Sequence, residues 1–258
     1  MPRPISSYRE LPPPAALAPY VSCVWVQAIG AGDVAYDHPV LPDGCTDIVS
    51  VDGDVMLAGP ATRAVTERFE PGSVVVGVRF RAGAAPPLLG FDASELRDRG
   101  TPIAELWGRA GATLAARCAD GGGGSARLGV LVDGLVRRLD EVPAPDPVAT
   151  GTAAMLAANP ALPVHELADE AALSERQLRR RVELGVGYPP RTLARIFRFQ
   201  RFLRAARAAA PKGRDLARLA AESGYADQAH LTRESRRLAG LPPAALLDWE
   251  TRRMTPDD

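Results

Sequence analysis

Apolar positions recur along this chain with two different periods, and the period changes near residue 100. From about Val21 to Arg81 the pattern is that of strands. Val21–Ala28 (VSCVWVQA) is β-branched and aromatic. Asp47–Ala58 holds two apolar runs around Asp52-Gly53, a short-range hairpin signal. Ser73–Arg81 alternates towards its end and is bounded by Pro71-Gly72 and Gly83. Short strands joined by Gly/Pro turns predict a small antiparallel barrel or sandwich.

Beyond this the period is helical. Ile103, Leu106, Trp107, Ala110 and Leu114 follow Pro102, which suits a first-turn proline. Gly121–Ser125 (GGGGS) reads as a flexible break, because a phosphate loop needs a preceding strand and a following Lys-Ser/Thr. Leu128, Leu131, Val132, Leu135, Val136 and Leu139 form a second amphipathic stripe, which either closes the first domain or pairs with another chain. Pro143–Pro147 (PAPDP) reads as a stiff linker and a domain boundary.

The remainder contains one device twice. Val164–Ala172 predicts a short helix with Leu167 and Ala168, a turn at Leu173 and a second helix capped by Ser174. Asp215–Ser223 predicts a helix with Leu216, Leu219 and Ala220, ended by Gly224, before a helix capped by Asp227. In each copy an apolar anchor stands four residues beyond the cap: Leu178 and Leu231. A small residue follows each alanine by four: Ala172 and Gly224. This is the helix-turn-helix pattern, whose second helix enters the major groove of DNA. Between the copies, Arg191–Ala209 predicts a helix of roughly 28 Å, long enough to set two reading helices about one DNA turn apart.

Charge sharpens this picture. The net charge is zero, yet residues 1–159 hold 13 Lys/Arg against 18 Asp/Glu, and residues 160–258 hold 18 against 13. A basic back half calls for a polyanion. Glu175–Arg207 alone holds ten arginines and two acids, Glu175 and Glu183. Arg176, Arg179 and Arg180 stand on the outer side of the first reading helix, with Arg181 beside them. The same offsets in the second give Ala229, Thr232 and Arg233, with Gln228 and His230 adjacent. Of the 31 basic residues only Lys212 is lysine, which reflects codon bias and supplies forks suited to phosphates and guanine edges.

Three widely spaced cysteines (Cys23, Cys45, Cys118) form neither a disulfide framework nor a Cys-pair zinc pattern. Met1–Arg9 lacks a signal peptide, and no stretch reaches the roughly 18 apolar residues of a membrane span, so a cytoplasmic protein is expected. His38, Asp43, Cys45 and Asp47 lie close in sequence. They read either as metal ligands, in no established zinc spacing, or as a Pro42-Asp43-Gly44 turn with Cys45 as a small hydrophobe. Trp25 and Trp107 line a pocket or belong to the core. The nucleophile elbow G-x-S-x-G and the zinc motif H-E-x-x-H are absent. No enzyme activity and no cofactor are expected.

Residues 160–250 resemble the AraC/XylS family of bacterial transcription activators. The motifs that carry the resemblance are LSERQLRRR (173–181), GVGYPPRTL (185–193), RFQRFLRAAR (198–207) and ESGYADQAHLTRESRRLAGLPP (222–243). It implies a double helix-turn-helix reader of double-stranded DNA, with RNA polymerase as a partner. Base-facing positions fall on Arg176, Arg179, Arg180, Gln228, Ala229, Thr232 and Arg233. Phosphate positions fall on Ser174, Arg191, Thr192, Arg236 and Arg237. Where the family has an aromatic eight residues past the cap, this chain has Val182 and Ser235, and Ser235 predicts a weakened anchor for the second reading helix. Glu183 places an acid near the DNA side of the first unit. Residues 8–110 resemble an uncharacterised N-terminal domain often fused to such readers, which implies a small-molecule sensor or a homodimerisation module. Its candidate ligand residues are Trp25, His38, Asp43, Cys45 and Arg79. The expected fold is α+β, with domains at 1–120 (β-rich, regulatory), 121–150 (amphipathic helix and linker) and 151–258 (DNA-binding). The competing reading is a DNA-repair alkyl acceptor or redox sensor that uses Cys45 with the same DNA-binding module.

Overall fold

The computed structural model describes residues 7–30, 35–209 and 215–254; Lys212 and most of Met1–Arg9 lie outside them. The front half is built on β1 (Ser7–Leu11), β2 (Val21–Ala28), β3 (Tyr36–Val40), β4 (Asp47–Val51), β5 (Asp54–Ala58), β6 (Val65–Phe69) and β7 (Val74–Phe80). A short helix α1 (Pro86–Leu89) and strand β8 (Gly100–Pro102) follow, then α2 (Ile103–Asp120) and α3 (Gly124–Val136). Six strands form one antiparallel sheet in the order β1-β2-β7-β4-β5-β8, and β3 pairs with β6 apart from it. Among the described residues β1 and β8 are the edges of the larger sheet, and the β3–β6 pair packs over one of its faces through Phe69. The hairpin turns at Asp52-Gly53, both at positive φ, as its Asp-Gly pair requires.

Alternation along the strands separates two faces. Val24, Ile48, Leu57, Val76 and Val78 point to one core, closed by Leu114 and Cys118 of α2 and Leu128, Leu131 and Leu135 of α3. The second amphipathic stripe therefore completes the front domain. On the other face Trp25 and Val75 meet Phe69 of β6. Trp107 packs against this domain's helices: its indole N–H donates to the Leu89 carbonyl at 2.9 Å, and the Arg138 guanidinium lies 4.1 Å from its ring centre. α2 breaks at Gly108, whose φ of 54° no helix admits. The GGGGS segment is not a flexible linker. Gly121 ends α2, and α3 already begins at Gly124, where a Cβ would stand 2.6 Å from Val74 Cγ1. Glycine here permits close helix–sheet contact.

The back half is helical: α4 (Pro147–Ala158), α5 (Val164–Glu170), α6 (Glu175–Val186), α7 (Pro190–Ala208), α8 (Leu216–Glu222), α9 (Gln228–Ala239) and α10 (Pro243–Met254). Its core gathers Leu156, Leu167, Leu178, Val182, Leu193, Ile196, Phe199, Phe202, Leu219, Leu231, Leu238 and Leu246. Asp146 caps α4 by accepting from the Val148 N–H at 2.8 Å. Among the described residues no helix is long and apolar enough to cross a membrane.

Candidate nucleic-acid interface

Both predicted units form, and they match down to single hydrogen bonds. In the first, Ala172 takes φ +51° and the Leu173 N–H donates back to the Ala168 carbonyl at 2.9 Å. In the second, Gly224 takes φ +84° and the Tyr225 N–H donates to the Ala220 carbonyl at 2.9 Å. Each is a left-handed helix stop that turns the chain sharply into the next cap. Ser174 and Gln177 form a capping box: Ser174 Oγ accepts from the Gln177 N–H at 3.3 Å, and Gln177 Oε1 accepts from the Ser174 N–H at 3.0 Å. Asp227 accepts from the His230 N–H at 2.6 Å. These bonds satisfy backbone donors that would otherwise stand free at the start of each reading helix. Leu178 and Leu231 are fully buried and anchor α6 and α9 to the core.

Anchoring one side fixes what the other presents. Arg176, Arg179 and Arg180 are exposed on α6, and Gln228, Ala229 and Arg233 are exposed on α9. Thr232 donates its hydroxyl back to the Gln228 carbonyl at 2.8 Å. Ser174 and Arg191 are exposed and Thr192 is half-buried at the start of α7, while Arg236 and Arg237 close α9. Among the described residues none of these arginines pairs with an acid. Three others do. Arg181 pairs with Asp146, its Nε at 2.9 Å, Arg195 with Glu234 at 3.2 Å, and Arg207 with Glu250 at 2.6 Å. The arginine run thus divides into struts and free cations, a division that sequence did not reveal. A cleft of about 460 Å³ beside α7 is lined by His165, Glu175, Arg191, Arg195 and Arg198.

The expected weak points behave differently. Ser235 is fully buried and donates its hydroxyl to the Leu241 carbonyl at 2.7 Å, so α9 is held by a hydrogen bond where an aromatic was missed. Val182 is fully buried. Glu183 turns towards the front domain and pairs with Arg97 at 3.6 Å.

Four of the five ligand candidates come together. Arg79 holds Asp47 with Nε and Nη2 at 3.2 and 3.1 Å, with Asp43 at 3.6 Å and Glu10 at 3.4 Å. Cys45 and Trp25 lie beside this cluster. Burial pushes the Asp47 carboxyl up to about 6, with Arg79 pulling it down and Asp43 adding to the rise. Burial, then the charges of Asp43 and Asp47, raise the Cys45 thiol well above its ordinary value. A raised thiol pKa keeps Cys45 in its protonated form rather than as a thiolate. Trp25 fills the space over Gly77, where a Cβ would stand 2.3 Å from the indole. His38 lies apart, between Phe69 and Trp249, with ring centres 5.4 Å from each. Among the described residues no group of three or more His, Cys, Asp or Glu gathers as metal ligands. The Pro42–Cys45 segment is a turn: Gly44 has φ +85° and Asp43 accepts from the Cys45 N–H at 2.9 Å. It sits on α7, where Gln200 donates to the Pro42 carbonyl at 2.7 Å and Gly44 meets Leu193 and Phe197. This turn, which carries the ligand candidates Asp43 and Cys45, thus forms part of a seam between the halves through Pro42 and Gly44.

Residues 167–248 match the helix-turn-helix domain family, and residues 9–102 match a domain of unknown function, DUF6597. No curated protein matches the chain. Among solved structures it aligns with ToxT from Vibrio cholerae O395 at 9% identity, covering 87% of this chain and 96% of that one, with a TM-score of 0.45. ToxT bound to (E)-4-(8-methylnaphthalen-1-yl)but-3-enoic acid aligns at 9% identity over 94% and 98%, with a TM-score of 0.47. Unsaturated fatty acid bound wild-type ToxT from Vibrio cholerae strain SCE256 aligns at 10% identity over 96% of each, with a TM-score of 0.45. Residues 167–248 are thus a helix-turn-helix domain of the AraC type, and the chain that carries it behind a domain of unknown function is a DNA-binding transcription regulator.

Proposed function

We propose that one chain reads two neighbouring major grooves of a single duplex, with α6 in one and α9 in the next. The observation that supports this most is the pair of like-built units, whose second helices bury leucine anchors and expose arginines that pair with no acid among the described residues. Arg176, Arg179, Arg180, Gln228, Ala229, Thr232 and Arg233 meet base edges, where arginine's fork suits guanine. Ser174, Arg191, Thr192, Arg236 and Arg237 hold phosphates, and the basic cleft beside α7 gives the backbone between the two grooves a cationic wall. Regulation enters through the front domain, by a small molecule or by homodimerisation, and RNA polymerase is the downstream partner. Selection of the full chain on random-sequence duplexes tests the reading. Arg180→Ala and Arg233→Ala each weaken the recovered site by about 1–3 kcal/mol and relax base preference at separate positions. Unchanged binding by both variants refutes the assigned faces.

A further inference from the structure

The front domain touches the back domain at several places, Gly83 against Ala149 and Arg97 with Glu183 among them, and one of its loops reaches both reading helices. Residues 59–64 connect β5 to β6. Pro60 packs against Gly187, the left-handed residue that ends α6; a Cβ there would stand 2.4 Å from Pro60 Cγ. Four residues later the Ala64 N–H donates to the Leu238 carbonyl, in the last turn of α9, at 2.7 Å. Pro60 and Ala64 are separated by at most about 14 Å of extended chain. The C-terminal ends of α6 and α9 are therefore tied to one short stretch of backbone belonging to the other domain. The linker helix α7 is touched separately, by the loop at Pro42 and Gly44.

One residue organises that stretch. Asp98 takes φ +57°, and its carboxylate accepts from the Thr62 N–H at 2.6 Å and the Thr62 hydroxyl at 2.7 Å. Its own N–H donates to the Pro60 carbonyl at 3.1 Å. At the base of the loop the Gly59 N–H donates to the Arg99 carbonyl at 2.9 Å, and a Cβ on Gly59 would collide with the Leu96 carbonyl. Next to Asp98, Arg97 pairs with Glu183 on α6. Asp98 itself is exposed and contributes nothing to either core.

We propose that Asp98 is a positioning residue for DNA reading: by fixing residues 59–64 it holds the ends of α6 and α9 in one relative placement and so sets the half-site spacing the chain accepts. This rests on α6 and α9 both being DNA readers. B-DNA makes a turn in about 10–10.5 base pairs, so one inserted base pair rotates the second half-site by roughly 35° and moves it about 3.4 Å. Heads fixed along α7 and again at their far ends cannot follow that displacement. Heads without the tie at residues 59–64 can bend towards it.

The test uses the full chain, a duplex selected by it from random sequence, and versions of that duplex with one base pair inserted or removed between the half-sites. The unaltered chain loses at least about tenfold in affinity on either change, an effect of the size of one mismatched base. Asp98→Ala and Ala64→Pro, which removes the N–H given to Leu238, lose no more than about threefold, after a modest loss on the parent duplex. Asp98→Asn keeps the unaltered profile, because asparagine accepts left-handed φ and its Oδ1 still receives the Thr62 N–H. The proposal is overturned if Asp98→Ala, folded by circular dichroism, keeps the sharp spacing preference or weakens equally on all three duplexes. Should Asp98→Ala not fold, Ala64→Pro is judged by the same criterion. Failure of the unaltered chain to select any duplex removes the DNA reading itself, which is a different result.

Discussion

The two helix stops offer an experiment in which one backbone position is occupied by alanine in one copy and glycine in the other. Ala172 and Gly224 occupy equivalent left-handed positions and each hands its following N–H to the alanine carbonyl four residues before it. For a residue with a Cβ, left-handed φ costs about 1–2 kcal/mol. Replacing Ala172 with glycine removes that strain but loosens the unfolded chain, which returns about 0.4–1 kcal/mol. The net expectation is stabilisation by about 0.5–1 kcal/mol. Gly224→Ala runs in reverse. A Cβ at 224 would meet nothing nearer than Arg198 Nε at 3.8 Å, so no clash adds to these two backbone effects and the expected loss is similar in size. Urea denaturation followed by far-ultraviolet circular dichroism measures both variants and the swap Ala172→Gly/Gly224→Ala, which is expected near the unaltered value. Destabilisation by Ala172→Gly together with no change for Gly224→Ala would refute the strain argument, and with it the equivalence of the two turns.

Further consequences concern anchors and charge. Ser235→Ala leaves the half-buried Leu241 carbonyl without its donor and is expected to cost about 0.5–1.5 kcal/mol, with the larger part of the effect on binding at the α9 half-site; equal stability would show that the hydroxyl anchors nothing. Gly77→Ala drives a methyl into Trp25, so tryptophan fluorescence shifts and stability falls by about 1–3 kcal/mol, whereas an unperturbed spectrum contradicts the packing. Burial works against the Asp146 carboxylate, but the Arg181 guanidinium and the Val148 and Ala149 N–H groups outweigh it and hold its pKa below the ordinary value. A depressed folded pKa stabilises above the unfolded value near 3.9 and is lost as pH falls below it. Asp146→Ala is therefore less stable at neutral pH and loses less than the unaltered chain on acidification from about pH 5 to 3; parallel curves would contradict this.

Much of the architecture was legible because burial writes a period into sequence. Val21–Ala28, the Asp47–Ala58 hairpin and the strand within Ser73–Arg81 lie in the middle of the sheet, where apolar residues are obligatory. β1 (SYREL) and β6 (VTERF) expose nearly every side chain, and β3 carries Pro39, so no hydrophobic alternation marked them. GGGGS misled for a related reason: its composition is that of a linker, and only the neighbouring Val74 shows that Gly124 is pressed against the sheet. In the back half, caps and leucine anchors announced both units from local chemistry, and the Ser174-x-x-Gln177 box was present in the sequence as well. Pairings such as Arg195 with Glu234, Glu183 with Arg97 and Ala64 with Leu238 join residues far apart in the chain. They carry no local signature. The seam between the halves, and the use of Pro42 and Gly44 in it, became visible only with the fold.

The most direct measurement is a hydroxyl-radical footprint of the full chain on its selected duplex, taken for the unaltered protein, Arg180→Ala and Arg233→Ala. The account predicts two protected segments on one face of the duplex, about 10 base pairs apart, with Arg180→Ala erasing one and Arg233→Ala the other. A single protected segment, or two segments that fade together in both variants, would contradict the reading of one duplex by two heads of one chain.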